Sequence, residues 1–237
     1  PFFLACGIFR PHLPWYVPQR FFDLYPIDGI KAPEVLESDL DDVPAEGLRL
    51  AGARRSDLEK IQKNNKTQHA IQAYLASISF ADEQIGNVLK ALEDSGEAHR
   101  TIVVFWSDHG WHLGEKNHWH KSTLWEEATR IPFILNRPGW SNHGCSEAVS
   151  LLDIFPTLIE LCRLEARELQ PLDGESLVPL LRQAGVEREK PAVIEFRKGN
   201  AAVRDERFRL IRYADGLEEL YDHSRDPHEW HNLASEP

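Results

Sequence analysis

The feature that most constrains the fold is an apolar run, residues 102–106, which ends abruptly before Asp108, His109 and Gly110. A short, continuous apolar run of this kind predicts a strand buried on both faces, as in parallel sheets. Ligands of open α/β sheets collect beyond the carboxyl ends of their strands. We therefore expect Asp108 and His109 at the rim of a sheet, where a carboxylate beside an imidazole can hold a metal ion.

The flanking patterns place this strand in an α/β layer. Residues 56–95 repeat apolar side chains at three- and four-residue steps, which predicts a helical region that ends at Ser95 and Gly96. Residues 10–55 are rich in Pro, Asp and Gly and predict a long irregular excursion. Further strands are predicted at residues 2–9 and 132–135, and further helices at residues 122–129 and 151–164.

The pattern of the sequence changes after about residue 171, from helical stretches to short strand-like runs. Four short strand-like runs follow, and Asp215 with Gly216 between the last two is a hairpin signal. We therefore predict two domains: residues 1–170, which carry the α/β core, and residues 171–237, which form a small antiparallel sheet.

Composition narrows the classes of function. The chain of 237 residues is 42% hydrophobic and 27% charged, which is enough apolar sequence for a folded core. Its net charge of −11 argues against nucleic acid as a partner, because phosphate binding needs a basic face. The sequence has no apolar run long enough to predict a membrane span, and its three cysteines predict no disulfide framework.

Four segments in order resemble the sulfatase family, closest to its iduronate-2-sulfatase-like branch. The first two are RPHLP from Arg10 and DHGWHLGE from Asp108 followed by WHK ending at Lys121. The others are LLDIFPTL from Leu151 and the C-terminal pair LYD and DPHEWHNL. The resemblance implies an alkaline-phosphatase-like α/β fold, a mixed sheet flanked by helices with a small antiparallel C-terminal sheet. It also implies a sulfuric ester hydrolase acting on a sulfate ester, such as a sulfated sugar.

The resemblance also shows what this chain lacks. Sulfatases carry a Cys-x-(Pro/Ala)-x-Arg motif whose Cys is oxidised to formylglycine, together with further metal ligands, in an N-terminal half. Here Cys6 and Arg10 have the spacing, but Ile8 stands where Pro or Ala belongs. We therefore expect this chain to be the C-terminal half of an enzyme whose N-terminal half supplies the formylglycine. The resemblance favours an exported protein, although the sequence itself leaves the compartment open.

Particular site residues follow from the resemblance. Asp108 and His109 match ligands of a divalent ion, usually Ca²⁺, with Mg²⁺ as the alternative. Lys121 matches the lysine that contacts the sulfate, and His12 matches a histidine that protonates the departing alcohol. Both roles are chemically sound, because sulfuryl transfer gathers negative charge and imidazole titrates near neutral pH. Trp111 and His112 are predicted to contact substrate.

Three alternatives stay open. The imidazoles of His109, His112, His118 and His120 could indicate zinc, although their spacing matches no zinc motif. A phosphoester or phosphonate hydrolase of the same superfamily would share the core but use a Ser or Thr nucleophile. A catalytically inactive binding fragment would show no turnover and little metal affinity, because two ligands make a poor calcium site.

Overall fold

The computed structural model describes residues 2–165 and 170–235, apart from the side chains of residues 53–56, and every structural statement below refers to these residues. The helices of four or more residues are α1 (Gln19–Phe22), α2 (Ala45–Lys63), α3 (Thr67–Asp94), α4 (Glu126–Thr129), α5 (Ile154–Cys162) and α6 (Val178–Arg182). The strands are β1 (Val103–Trp106), β2 (His112–Leu113), β3 (Trp119–His120), β4 (Phe133–Asn136), β5 (Ala192–Glu195), β6 (Ala201–Arg204), β7 (Phe208–Arg212) and β8 (Glu218–Asp222).

The strand predicted before Asp108 is confirmed as β1, but its neighbour is not parallel. β1 pairs with β4 in antiparallel register, with Val103 opposite Asn136 and Trp106 opposite Phe133. The prediction of burial on both faces is wrong for this chain, since the Trp106 side chain is 47% exposed. An apolar run indicates that its side chains tend to be buried, but no described element covers the face of β1 that carries Trp106.

The strand predicted at residues 2–9 is absent. These residues form no strand, and Phe2, Phe3 and Leu4 are exposed. A strand needs a neighbouring strand to receive its backbone hydrogen bonds, and no described strand lies beside this segment. Residues 2–9 are therefore an apolar segment for which the described residues provide no neighbouring strand.

The predicted helical region is two helices, and it begins earlier than expected. α2 starts at Ala45, inside the stretch predicted to be irregular, and α3 follows it after a short break. Asn65 in that break has φ of 54°, a left-handed conformation that Asn tolerates and that ends a helix. α1 packs across α3, where the rings of Phe21 and Phe80 meet at 5.5 Å between centroids.

The antiparallel C-terminal sheet is confirmed. β5, β6, β7 and β8 pair in sequence order with antiparallel register throughout. The predicted hairpin turn lies between β7 and β8, and Gly216 there has φ of 87°, which favours glycine.

Helix α2 joins two apolar cores. Its first half places Leu50 and Ala51 against the C-terminal sheet, in a cluster with Trp125, Ile211 and Tyr221. This cluster draws on residues from both sides of position 171, so the two predicted domains share a core; the division into domains stays a prediction.

The second core lies under the candidate site. Leu58 of α2 packs there with Ile71 of α3 and Trp119 of β3, and Trp15 packs against them. Burying side chains of this size contributes roughly 1.5–3 kcal/mol each. The loop that carries the predicted site residues therefore stands on a rigid apolar base.

Two further expectations can be compared with the structure. None of the helices in residues 2–165 and 170–235 combines the length and apolarity that a bilayer crossing requires. The three cysteines, Cys6, Cys145 and Cys162, are free and exposed.

Candidate active site

The structure brings four of the predicted residues together at the end of β1. The Nζ atom of Lys121 lies 2.5 Å from Nε2 of His109. The ring centroids of His12 and His109 are 6.0 Å apart, although these residues are nearly a hundred positions apart in sequence. Trp111 lies beside both, 5.7 Å from the His12 ring and 6.2 Å from the His109 ring. A cationic amine, two imidazoles and an indole therefore share one small volume.

Backbone contacts fix which nitrogen of each histidine carries the proton. Nδ1 of His12 lies 2.9 Å from the carbonyl oxygen of Leu13, and Nδ1 of His109 lies 2.8 Å from that of Gly110. A carbonyl oxygen only accepts, so in both rings Nδ1 is the donor. Nε2 of His109 then accepts from the Lys121 ammonium, and Nε2 of His12 is the nitrogen left to exchange a proton with a bound group.

Asp108 lies at the solvent edge of this group. Its side chain is 84% exposed, and Oδ1 is 3.8 Å from Nε2 of His109. One carboxylate and one neutral imidazole fit part of the coordination shell of a divalent ion. They fall short of the six to eight oxygen ligands that Ca²⁺ takes, so the remaining ligands must come from other groups.

Unusual backbone conformations hold Lys121 in place. His120 and Ser122, on either side of it, have φ of 79° and 78°, which side chains other than glycine rarely adopt. Nε2 of His118 lies 3.1 Å from the Lys121 carbonyl oxygen and ties this turn to the loop interior. Local strain of this kind typically persists where the surrounding structure enforces it at a functional site.

Gly110 lets the loop lie against α4. A Cβ at this position would be 2.1 Å from the carbonyl oxygen of Glu127 and 2.8 Å from that of Arg130. The backbone N–H of Gly110 donates to the carbonyl of Ala128 at 2.8 Å. The absence of a side chain at Gly110 thus permits a close approach to the backbone of α4.

The two predicted substrate contacts differ in their access to the site. Trp111 borders the cluster but is only 7% exposed, and its Nε1 is buried without a hydrogen-bond partner among the described residues. His112 points the other way and is fully buried, with Nε2 3.1 Å from the Thr123 hydroxyl and Nδ1 3.2 Å from the Glu115 carbonyl. Burial holds the pKa of His112 well below its usual value. These contacts place the His112 ring in the loop interior, and its role as a substrate contact stays a prediction.

Residues outside the predicted active site support it from behind. Nε2 of His120 lies 3.1 Å from Oδ2 of Asp57 in α2, and the His120 ring meets Trp111 at 4.6 Å. Tyr74 of α3 stacks on Trp111 at 5.9 Å. Burial, with the charges of Glu115 and Glu127, raises the pKa of Tyr74 to about 12. Asp57 and Tyr74 lie far away in sequence, so only their position on helix faces could have indicated them.

A second group of donors lies elsewhere in the described residues. Single donor atoms of Glu126, His223 and Glu229 all lie within 4.8 Å of one another, close enough for a metal ion. However, Arg209 pairs with both glutamates, its Nε 2.6 Å from Glu229, and the buried carboxylates are already compensated. Despite burial, Arg209 and Arg204 hold the pKa of Glu126 below its usual value. The arrangement is that of a buried ion-pair network.

The fold and the site together define a class of protein: an α/β protein whose strand-end loop gathers an amine, imidazoles and a carboxylate. Comparison with known families makes the class definite. The sulfatase family profile matches residues 1–164, and the profile described as N-sulphoglucosamine sulphohydrolase, C-terminal, matches residues 114–237. The chain belongs to the sulfatase family.

Individual relatives agree with this assignment. A sulfatase of Formosa agariphila is 41% identical, over 99% of this chain and 46% of its own length. Human iduronate 2-sulfatase is 36% identical, over 76% of this chain and 35% of its own length. The solved phosphonate monoester hydrolase of Agrobacterium radiobacter superposes with a TM-score of 0.75 at 26% identity, covering 96% of this chain and 51% of that one. The alkaline-phosphatase-like α/β fold is confirmed. The chain spans about half the length of the Formosa agariphila sulfatase and about a third of human iduronate 2-sulfatase.

Proposed function

We propose that the protein containing this chain is a sulfuric ester hydrolase that cleaves sulfate esters, with a sulfated sugar as the substrate class. The observation that carries the proposal is the convergence of His12, His109 and Lys121, with Lys121 and His109 in direct contact. Membership of the sulfatase family supports this chemistry over others open to the fold. Iduronate 2-sulfatase, named for a sugar acid, supports a saccharide substrate.

Lys121 is proposed to hold the sulfate oxygens. Its ammonium group is half-buried and now donates to a neutral imidazole nitrogen, which is a weaker acceptor than an anionic oxygen. A sulfate group entering the site would draw this donor to itself. As the ester bond breaks, charge develops on the sulfuryl and leaving oxygens, and a fixed ammonium stabilises that charge.

His12 is proposed to protonate the departing alcohol. Its Nδ1 is fixed by the Leu13 carbonyl, so Nε2 is the atom that would carry the transferred proton. The Arg10 guanidinium donates to the carbonyl of Tyr16 at 3.1 Å and to that of His12 at 3.4 Å, which stabilises the turn around the ring. General acid catalysis of this kind contributes roughly 10²–10⁴-fold in rate.

Asp108 and His109 are proposed as two ligands of a divalent ion, Ca²⁺ or Mg²⁺. The deprotonated Nε2 of His109 and the solvent-facing carboxylate have the protonation states that metal ligands require. Such an ion would supply charge to polarise the sulfate group. The remaining ligands and the formylglycine nucleophile are proposed to come from an N-terminal half, as the family resemblance implies.

A phosphonate or phosphate monoester hydrolase is the second candidate. The similarity to the Agrobacterium radiobacter phosphonate monoester hydrolase favours it specifically. Lys121 and His12 would act on a phosphoryl group by the same physical means, so the core geometry alone does not separate the two activities.

Two aryl esters that share the same leaving group distinguish the two proposed activities. We expect the protein, with its N-terminal half and divalent ion present, to hydrolyse nitrophenyl sulfate with kcat/KM at least about tenfold above that for a nitrophenyl phosphonate, a difference of about 1.4 kcal/mol. A reversed preference would establish the second candidate. If the protein hydrolysed neither ester nor a sulfated monosaccharide, the remaining hypothesis would be a catalytically inactive binding fragment.

A further inference from the structure

A small basic groove lies apart from the candidate active site. It encloses about 230 Å³ and is lined by Trp140, Ser141, Leu181 and Arg182. One wall is the loop after β4, and the other is α6. Because β1 and β4 are antiparallel, the end of β4 that leads into this loop is opposite the end of β1 that leads to Asp108. At about 3.4 Å per residue, roughly 10 Å of strand separates the two places.

Two guanidinium groups lie near one indole: Arg182 lines the groove, and Arg137 approaches Trp140 from the preceding turn. The Cζ atom of Arg137 lies 4.5 Å from the Trp140 ring centroid, and that of Arg182 lies 5.6 Å away. Both distances are within the range of a cation–π interaction. A guanidinium carries five N–H donors in a planar arrangement that suits paired hydrogen bonds to an oxoanion.

Neither arginine pairs with a carboxylate among the residues that the structure describes. In the part of the chain that the structure describes, Arg137 and Arg182 take part in no salt bridge, and Arg137 donates only weakly to the Pro138 carbonyl at 3.3 Å. Residues 137–146 and 177–186 contain no Asp or Glu, whereas the chain as a whole has 38 acidic residues and a net charge of −11. The groove is therefore a local basic patch on an acidic protein.

The two walls are held together before any ligand binds. Nε2 of His143 lies 2.7 Å from the Leu180 carbonyl oxygen and, since that oxygen only accepts, His143 donates. The N–H of Trp140 donates to the Arg137 carbonyl at 3.2 Å, which closes a turn in which Gly139 has φ of 81°. A groove that is already formed loses less conformational entropy on binding than one that must be ordered.

We propose that this groove binds a tetrahedral oxoanion, the sulfate or phosphate group of a small sugar ester. Arg137 and Arg182 would donate to the anion oxygens, Ser141 would add a hydroxyl, and Trp140 and Leu181 would form an apolar wall against the attached ring. Its volume is below the 300–1,000 Å³ of typical ligand pockets, so the groove suits a charged group and part of one ring. The proposal needs no catalytic turnover at His12 and Lys121.

Calorimetric titration with sodium sulfate at constant ionic strength tests this site. The protein would carry Lys121→Ala, so that the candidate active site contributes little to anion binding. We expect saturable binding that weakens at least about tenfold on Arg137→Gln or Arg182→Gln, whereas Arg20→Gln, which removes an exposed arginine of α1, leaves it unchanged. Arg182→Lys keeps the charge without the planar fork and is expected to weaken binding severalfold, which covers the case in which a glutamine variant folds poorly.

Further ligands identify the source of the anion. Tighter binding of glucose 6-sulfate or glucose 6-phosphate than of the inorganic anions would support a sugar ester, and equal binding would support the oxoanion but overturn the role of the ring. No saturable sulfate binding in the Lys121→Ala protein, or the same effect from Arg20→Gln as from Arg182→Gln, would overturn the proposal. Binding of unmodified glucose with equal affinity would overturn it as well.

Discussion

At the scale of single residues, the sequence indicated which side chains would lie near the candidate site better than it indicated how buried each of them is. Asp108, His109 and Lys121 stand where a strand-end site was expected, and the structure brings His12 to them from the start of the chain. His112 shows the limit of this reasoning. It is three residues beyond His109, an imidazole of the cluster, yet its ring is buried beside Thr123, and no composition-based rule distinguishes it from a site histidine.

Gly110 gives a prediction at this scale. Gly110→Ala would place a methyl group against the backbone carbonyls of Glu127 and Arg130, so the loop must move away from α4. We expect a loss of about 1–3 kcal/mol in the free energy of unfolding, typical of overpacking, together with reduced sulfate-ester turnover as Asp108 and His109 shift. Urea unfolding and initial rates measure the two effects.

Gly86→Ala is the matched control, because Gly86 is exposed in α3 and an added Cβ meets nothing within 4 Å. This variant should gain about 0.5–1 kcal/mol from helix propensity and keep its turnover. If the two alanine variants behaved alike, the close approach at Gly110 would not matter for the site.

At the scale of elements, local sequence patterns predicted whether a segment is a helix or a strand better than they predicted which strands pair. The four C-terminal strands were predicted in number and order, because their alternation and their turn residues are local signals. The partner of β1 was predicted wrongly, since burial on both faces and pairing direction depend on chain elsewhere. The hairpin of β2 and β3 was missed, because strands of two residues leave almost no periodicity to detect.

Lys116 shows how the elements are joined. It has φ of 54° in the short helix Glu115–Asn117 and is buried. Its Nζ donates to Asp39 at 2.8 Å, to the Tyr221 hydroxyl at 3.3 Å and to the Glu229 carbonyl. One ammonium group thus connects the irregular segment before α2, the site loop and the C-terminal sheet. Burial raises the pKa of Asp39, and the charge of Lys116 acts against that rise.

Removing one partner of this pair is predicted to be costly. Lys116→Met leaves the fully buried Asp39 carboxyl without its cation, so we expect a loss of about 3–5 kcal/mol in the free energy of unfolding. Adding Asp39→Asn should recover part of that loss, because the uncompensated charge is removed. Denaturant unfolding of the two variants gives both numbers.

An exposed lysine provides the comparison. Lys90→Met removes an ion pair with Asp94 on the surface of α3 and should change stability by less than about 1 kcal/mol. Equal losses for the Lys116 and Lys90 variants would show that the buried contact does not join the elements as described.

At the scale of the whole molecule, exposed apolar residues are as informative as the cores. Phe2, Phe3 and Trp106 face solvent in this chain, and the chain spans about half the length of its sulfatase relative from Formosa agariphila. The proposed N-terminal half would cover these residues and complete the metal site around Asp108. The sequence could reveal the missing nucleophile through motif spacing, but the exposed apolar segments became visible only in the structure.

The central claim is that Lys121, with His12 and His109, holds the oxoanion during ester cleavage. Its most direct test is the rate of sulfate release by the Lys121→Ala protein, assayed with its N-terminal half and divalent ion, beside a Lys90→Ala control. The account predicts a loss of about 10²–10³-fold in kcat with Lys121→Ala, the usual cost of removing one preorganised donor, and an unchanged melting temperature. Turnover by Lys121→Ala within a few-fold of the control would contradict it.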